Sequence, residues 1–384
     1  MTHELTRRAF ARQAALGALA APLLPRVTLA EAPSVPPSAW PGYERAMVID
    51  MLATPGPFNV PDMYARPLTP AMVENVRRSG ITAVNSTISG GGRAEEAFEQ
   101  TIESMAAWHH EFVAHPDLFL QVRHVADLHQ AKAERKLGVI LGFQDTTAYG
   151  DRLARVETFH RLGVRIVQLT YNGPNLVADG CLVPKDAGLK PFGREIISQL
   201  NARGTLIDLS HTGWESTKQA IEASRAPVAV THSGAAALND VPRNKPDALL
   251  RQLAARGGVV GVYMMPFLRA RGQPTGEDFL RHLGHCINVC GEDHVGIGTD
   301  LSISPLDLNP EFRALHAGFV KQRRAAGISA PGEAEDVFNY VPEFNQPRRL
   351  ELVADAMAKA GHGSARIAKV IGNNWLRLLG EVWT

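Results

Sequence analysis

Short apolar or β-branched runs alternate with stretches of helical spacing from Met47 onward. The runs show little polar alternation, which is typical of strands covered on both faces, as in a parallel sheet. Most of the intervening stretches end at a Gly or Pro such as Gly163, Gly204 or Pro227, residues that stop a helix. The predicted strands cover 47–50, 81–87, 138–143, 164–171, 205–211, 227–233, 258–264 and 294–300, and the predicted helices include 152–162, 193–202, 216–223 and 246–255.

This alternation predicts an α/β fold, a (β/α)₈ TIM-like barrel. Eight strand–helix units over roughly 250 residues match the size of that architecture. A ninth apolar run, 119–123, is short and is interpreted as an accessory strand. A doubly wound open sheet is the main alternative, but no Gly-rich dinucleotide turn or phosphate-binding loop follows any of the runs.

The first 32 residues are predicted to lie outside the fold. Arg7 and Arg8 precede a mildly apolar run at 14–25, and small residues follow at 28–32. A twin-arginine pair, a short apolar stretch and a small-residue cleavage point are typical of a Tat export signal. The alternative is an Arg-containing surface helix. We therefore predict a signal peptide at 1–32, a single domain at 33–384 and a periplasmic location.

Charge, the length of the apolar run and the number of cysteines exclude several classes of protein. The 384 residues include 40 Lys and Arg against 39 Asp and Glu, so no basic surface is expected to bind nucleic acid or an anionic membrane. The apolar run near the N-terminus is too short for a permanent membrane anchor. Three Cys are too few for a disulfide framework. A globular enzyme or binding protein acting on a small molecule remains.

Polar side chains at the carboxyl ends of the predicted strands are the candidate site, because active sites of this barrel lie there. His211 and His232 end consecutive runs, and adjacent strands lie about 4.8 Å apart, so both imidazoles can face one ion. A lone His is more often structural, but two at matched strand ends, with the Asp300 carboxylate at the end of the last strand, favour a metal site. The full set of strand-end residues is Asp50, Gln144, Asp145, Tyr171, Asn172, His211, His232 and Asp300.

Several short motifs then point to a family. In order along the chain these are IDLSH at 207–211, PVAVTHS at 227–233, PRN at 242–244, GGVV at 257–260, HVGIGTD at 294–300 and IGNNWLR at 371–377. Together they resemble the membrane (renal) dipeptidase family, zinc peptidases with a (β/α)₈ barrel of the metal-dependent hydrolase type and two bridged metals. The resemblance covers essentially the whole chain after the N-terminal segment.

The resemblance implies roles for five residues. His211 and His232 would bind one metal, Asp300 would carry a proton between water and the leaving amine, and Arg243 would bind the substrate carboxylate. Tyr171 stands where the family has a His that polarises the scissile carbonyl. Tyrosine retains a hydrogen-bond donor, so this role can persist in altered form.

The resemblance breaks down at the other metal position. The His-x-Asp of the family's first strand corresponds to Leu52 and Thr54, and its bridging Glu to Gln144. Leucine cannot bind a metal, and a neutral amide cannot supply the bridging charge. These replacements resemble a divergent bacterial branch of the family that lacks part of the two-metal site. With the anionic ligands lost, we expect one zinc ion per chain rather than two, and Gln144 is a further candidate ligand.

Three hypotheses stay open at this point. The first is a periplasmic metallo-dipeptidase or amidohydrolase acting on a dipeptide or small amide with a free carboxylate. The second is a mononuclear enzyme of other chemistry on the same barrel, such as a lyase, deaminase or lactonase. The third is an inactive small-molecule binding protein. The family commonly forms homodimers, and the sequence leaves the oligomeric state open.

Overall fold

The computed structural model describes residues 40–56, 67–89 and 92–383. The predicted signal peptide at 1–32 lies outside these residues. Strands β1 to β11 are Ile49–Asp50, Ala53–Thr54, Ala83–Thr87, Phe119–Gln121, Leu137–Phe143, Val164–Gln168, Leu206–Asp208, Ala229–Ser233, Val259–Val262, Val295–Ile297 and Leu301–Ser302.

Eight parallel strands form a nearly closed barrel in the order β1-β3-β5-β6-β7-β8-β9-β10. The last strand meets the first where Met51 N donates to Ile297 O at 3.0 Å and Asp300 N to Leu52 O at 2.8 Å. Just beyond this seam, β11 pairs with β2 in parallel. The (β/α)₈ prediction is confirmed, and the doubly wound alternative is wrong.

Helices surround the barrel, because each crossover between parallel strands returns along the outside. Within the described residues, α1 to α12 are Pro70–Ser79, Ala94–Ala114, Val125–Glu134, Ala154–Arg161, Pro191–Ala202, Trp214–Ala223, Asp247–Ala255, Gly276–Cys290, Pro310–Ala325, Arg349–Lys359, Ser364–Ala368 and Asn374–Val382. The four helices predicted explicitly correspond to α4 to α7. None of the helices in the described ranges has the length and apolar character needed to cross a membrane.

The amino-terminal end of the barrel is closed by the C-terminal helix. Trp375 on α12 is fully buried with inward-facing strand residues such as Ile49, Ile140 and Val259, and its indole N–H donates to Ile297 O at 3.0 Å. Gly296 leaves space for this indole, since a Cβ there would lie 2.3 Å from Trp375 Nε1. A packed bottom leaves the carboxyl ends of the strands as the open end of the barrel.

Four strands end earlier than the hydrophobic pattern predicts. The runs 164–171, 205–211, 258–264 and 294–300 end as strands at Gln168, Asp208, Val262 and Ile297. At two of these ends side chains take over backbone N–H groups: Asp208 accepts from Thr231 N at 2.9 Å, and Asp50 from Thr299 N at 2.8 Å. Tyr171, His211 and Asp300 therefore lie in loops just past the strands. The accessory strand is confirmed as β4, paired with the start of β5.

Candidate active site

A cavity of about 500 Å³ opens at the carboxyl ends of the strands. Eight candidate residues from the sequence line it, and a ninth, His232, lies buried beside His211, with ring centroids 5.1 Å apart. The structure thus gathers these residues at one end of the barrel. The candidates that line the cavity are Leu52, Thr54, Gln144, Asp145, Tyr171, His211, Arg243 and Asp300.

The orientation of His232 is set by a buried carboxylate at the end of the neighbouring strand. Thr231 Oγ1 donates to Asp208 Oδ2 at 2.6 Å, and the same hydroxyl lies 2.8 Å from His232 Nδ1. A hydroxyl that gives its proton to Asp208 can only accept from the ring, so Nδ1 carries the hydrogen. The Nε2 lone pair of His232 therefore remains available as a ligand.

His211 is set in the same tautomer by an amide. Its Nδ1 lies 2.6 Å from Asn172 Oδ1, and Asn172 Nδ2 donates to Ile328 O at 2.9 Å, which fixes the amide orientation. The carbonyl oxygen accepts, so Nδ1 donates and Nε2 bears a lone pair. That Nε2 is buried and has no hydrogen-bond partner among the described residues. A buried unpaired ring nitrogen is costly unless an ion or ligand meets it.

Both rings are held neutral. Burial lowers the pKa of His211 and of His232 well below the usual value, and the nearby Arg243 guanidinium lowers each further. A neutral imidazole is the form that binds a metal. The side-chain nitrogen of Gln144 lies 3.5 Å from His232 Nε2, so the amide group of Gln144 also faces this point.

Within the described residues, two imidazoles are the metal-binding side chains that lie together at this point. In the described portion of the chain, no group of three or more His, Cys, Asp or Glu side chains is arranged to hold a metal. Leu52 presents an apolar side chain to the cavity, and the Thr54 hydroxyl accepts from Gly56 N at 3.2 Å. The residues that fit an ion are therefore the two imidazoles, with the Gln144 amide beside them.

Arg243 is buried at the cavity wall, with 1% of its surface exposed. One guanidinium nitrogen donates to Ser210 O at 2.9 Å, and the guanidinium carbon lies 5.6 Å from the Tyr263 and Phe267 ring centroids. The other terminal nitrogen, Nη2, is buried without a partner among the described residues. A buried cation with free donors is the group expected to bind an anionic ligand.

Asp300 enters the cavity from the seam of the barrel in an uncommon backbone conformation, with φ at 61°. Left-handed geometry is tolerated by Asp better than by most residues, and it often marks functional positions. Burial raises the pKa of Asp300 to about 7, although Arg243 and Arg323 act in the opposite direction. Both protonation states are therefore accessible near neutral pH, as a proton carrier requires. Asp300 leads into β11 and caps no helix.

The other strand-end carboxylates are engaged in the framework. Asp50 accepts from the Thr299 hydroxyl at 2.7 Å as well as from its N–H, which closes the barrel seam; burial still raises its pKa to about 6. Asp145 accepts from Tyr171 N at 2.8 Å and from Asn175 Nδ2 at 3.3 Å. Asp145 thus holds the loop that carries Tyr171.

The far wall of the cavity, formed by residues 310–339, was not predicted from the sequence. Helix α9 and the segment after it, residues 310–339, contribute Arg323, Glu333 and several apolar side chains to the lining. Arg323 pairs with Glu333 and donates to the Tyr171 hydroxyl at 3.3 Å. These residues belong to the long segment between β11 and α10, which passes over the barrel. No strand-end pattern or family motif marks them.

Comparisons with known proteins give a consistent picture. A family model described as Membrane dipeptidase (Peptidase family M19) matches residues 71–309. A dipeptidase of Claviceps purpurea, tcpJ, is 30% identical over 251 residues, which are 64% of this chain and 51% of that protein. The chain spans about half the length of the curated relatives that it matches.

Solved structures extend the likeness to most of the chain. An amidohydrolase from Pseudomonas aeruginosa superposes with a TM-score of 0.75 at 31% identity, covering 89% of this chain and 98% of that one. A metallopeptidase from Rhodobacter sphaeroides, liganded with a phosphinate mimic of L-Ala-D-Ala, gives 0.72 at 21% identity, covering 88% and 99%. The second likeness bears on the fold alone.

The substitution Asp300→Asn tests whether burial raises the pKa of the Asp300 carboxyl group. The folded pKa of about 7 lies above the ordinary 3.8, so ionising Asp300 weakens the fold increasingly from about pH 4 to pH 7. Asn resembles the protonated acid. We expect Asp300→Asn in metal-free protein to raise stability by about 3 kcal/mol more at pH 8 than at pH 5. Urea unfolding at both pH values measures this difference.

The control for this experiment is Asp336→Asn, which changes an exposed carboxylate. Its effect should differ little between the two pH values. A stability change in Asp300→Asn that is the same at pH 5 and pH 8 would contradict the raised pKa.

Proposed function

Because this chain belongs to the membrane dipeptidase family, we propose that it is a metal-dependent hydrolase of a dipeptide or small amide that ends in a free carboxylate. We further propose that it works with one zinc ion rather than two. The observation that carries the proposal is the buried His211 Nε2, which has no partner among the described residues, next to the His232 ring and on the same cavity as a buried arginine with an unused Nη2.

The charge balance supports a single ion. Two divalent cations 3–4 Å apart repel strongly and need anionic ligands to offset that repulsion. The positions that would supply them are Leu52, Thr54 and Gln144, all uncharged. His211 and His232 remain to hold one ion. The amide oxygen of Gln144 would supply a third contact, because the amide nitrogen that faces His232 is a hydrogen-bond donor and not a metal ligand.

The residues around the cavity have complementary roles in this mechanism. A zinc ion, when bound, supplies Lewis acidity that polarises a carbonyl and makes water more acidic. Arg243 binds the substrate carboxylate through its free Nη2, Tyr171 donates a hydrogen bond to the carbonyl oxygen, and Asp300 takes a proton from water and delivers it to the leaving amine. A pKa near 7 suits Asp300 to both transfers.

A second candidate function has an observation in its favour. Two imidazoles are fewer than the three protein ligands usual for catalytic zinc, and the described residues offer no cluster of three His, Cys, Asp or Glu side chains. A protein that binds a carboxylate ligand without turnover would keep Arg243 and need no metal. Zinc near zero in purified wild-type protein would favour this candidate, and one zinc per chain the enzyme. A different reaction on the same barrel would show zinc without dipeptide hydrolysis.

We also propose a periplasmic location and a domain spanning 33–384. The support is the Arg7-Arg8 pair with its apolar run and small residues at 28–32. Replacing both arginines with lysine should retain the full chain in the cytoplasm, which fractionation of the host cell would detect. Release of mature protein by the double variant would argue against the twin-arginine signal.

We also propose that the protein is a homodimer, which is common in the family. Light scattering would measure its oligomeric state.

Metal retention tests the two histidines. His211→Ala and His232→Ala should each lower bound zinc from about one per chain to near zero, since each removes one of two imidazole ligands. Elemental analysis of purified, folded variants measures the content. Leu52→Ala should keep the wild-type content. His285→Ala is a matched control, because that ring pairs with Asp247 away from the cavity. Zinc retained in both site variants would place the ion elsewhere.

Arg243→Ala tests substrate recognition. We expect KM to rise by about 100-fold for substrates with a free carboxylate, because a charge-assisted pair is lost. KM for the matching amidated substrates should change little. The comparison uses one variant on two substrates, so a general loss of folding cannot produce the difference. Arg225→Ala alters an exposed arginine and is the control. Equal KM changes on both substrates would remove Arg243 from carboxylate recognition.

A further inference from the structure

We propose that Arg323 is a positioning residue that fixes the Tyr171 hydroxyl as a hydrogen-bond donor to the substrate carbonyl. The inference rests on the proposed function, since it assigns a new residue to the same site. Arg323 lies on α9, beyond the segment 71–309 that the family model matches.

Tyr171 is held from three sides. Its ring stacks on the His211 imidazole, with centroids 4.2 Å apart and planes at 24°. Its backbone N–H donates to Asp145 Oδ2 at 2.8 Å. Its hydroxyl oxygen accepts from Arg323 Nη1 at 3.3 Å. The phenol is thus fixed in the cavity wall before any ligand arrives.

The direction of the Tyr171 proton follows from the chemistry of arginine. A guanidinium has donors and no acceptor, so the hydroxyl can only accept from Arg323. The O–H must then point away from the guanidinium, and among the described residues no second partner receives it. Tyr171 lines the cavity, so this free donor is available to a carbonyl oxygen bound there. Accepting a bond from a cation also polarises the O–H and makes it a stronger donor.

Arg323 is itself held firmly. Its Nε and Nη2 donate to the two carboxylate oxygens of Glu333 at 2.8 and 2.9 Å. Nη2 also donates to Ile328 O at 3.1 Å. The side chains of this ion pair are only 13% and 9% exposed. A bidentate pair of this kind fixes the plane of the guanidinium as well as its position.

The backbone carbonyl of Ile328 also contacts Asn172, the hydrogen-bond partner of His211. Ile328 O accepts from Asn172 Nδ2 at 2.9 Å, and Asn172 Oδ1 accepts from His211 Nδ1. One backbone carbonyl therefore joins the wall to both rings of the stacked pair, through Arg323 to Tyr171 and through Asn172 to His211. This arrangement makes the wall part of the catalytic geometry rather than a passive cover.

A double-mutant cycle tests the assignment. Tyr171→Phe should lower kcat by about 100-fold, the loss typical of one donor to a developing oxyanion, with little change in KM. Arg323→Met should lower kcat about tenfold, again with little change in KM, because the donor stays but is no longer aimed. The double variant should show no loss of kcat beyond that of Tyr171→Phe, since Arg323 reaches the carbonyl through that hydroxyl. Because Arg323 also acts to lower the pKa of Asp300, each kcat is taken from the plateau of its pH profile. Losses that multiply in the double variant would overturn the proposal.

Two further variants separate positioning from folding. Arg324→Met is the matched control, because Arg324 neighbours Arg323 on α9 with its side chain 61% exposed; it should leave kcat unchanged. Arg323→Lys retains a donor and a charge for Glu333 and should recover part of the loss. A lysine variant as impaired as the methionine variant, with both folded, would count against a hydrogen bond to Tyr171.

A spectroscopic measurement does not depend on turnover. With tyrosine labelled by ¹³C at Cζ, the Tyr171 resonance is assigned by its absence in Tyr171→Phe. It should shift in Arg323→Met and stay in place in Arg324→Met. An unshifted resonance in Arg323→Met overturns the proposal whether or not the protein hydrolyses dipeptides. The wild-type protein could prove inactive on every dipeptide while the Tyr171 resonance still shifts in Arg323→Met. That result would support the contact between Arg323 and Tyr171 and would contradict the proposed function.

Discussion

The site depends on buried hydrogen bonds that decide which nitrogen of each imidazole carries the proton. Asp208 accepts from Thr231, Thr231 accepts from His232, and Asn172 accepts from His211. These bonds are strong because they lie out of water, and breaking one would leave an unpaired polar group inside the barrel. The strand framework and the ligand chemistry are therefore one network, in which Asp208 both ends a strand and orients a ring.

The electrostatics of the cavity follow from that framework. Neutral imidazoles, the uncharged Gln144 and the buried Arg243 lie around Asp300, while Asp145, which also lines the cavity, accepts from Tyr171 N and Asn175 Nδ2. Such a pocket offers a metal ion few anionic partners, and the unpaired Nη2 of Arg243 is available to an anionic group. The raised pKa of Asp300 fits this balance, because burial outweighs the two arginines that favour its charged form.

The segment matched by the family model and the residues after it contribute different parts of the site. The matched segment contains seven of the eight barrel strands and His211, His232, Arg243 and Asp300. The wall built from α9 and the residues after it supplies the contact of the Tyr171 hydroxyl. The bond from Arg323 gives the O–H of Tyr171 a defined direction.

The barrel, the order of its strands along the chain and the candidate site positions could be predicted from the pattern of residues. Continuous apolar runs are typical of strands in a parallel sheet, and the strand ends of such a sheet meet at one edge. Four strand ends could not be predicted, and at two of them Asp50 and Asp208 replace ladder bonds with side-chain bonds. The tautomers of the two imidazoles, the unpaired Nη2 of Arg243 and the contact of Arg323 with Tyr171 became known from the folded structure. Each depends on atoms far apart along the chain, and no local pattern of residues records which of them will meet.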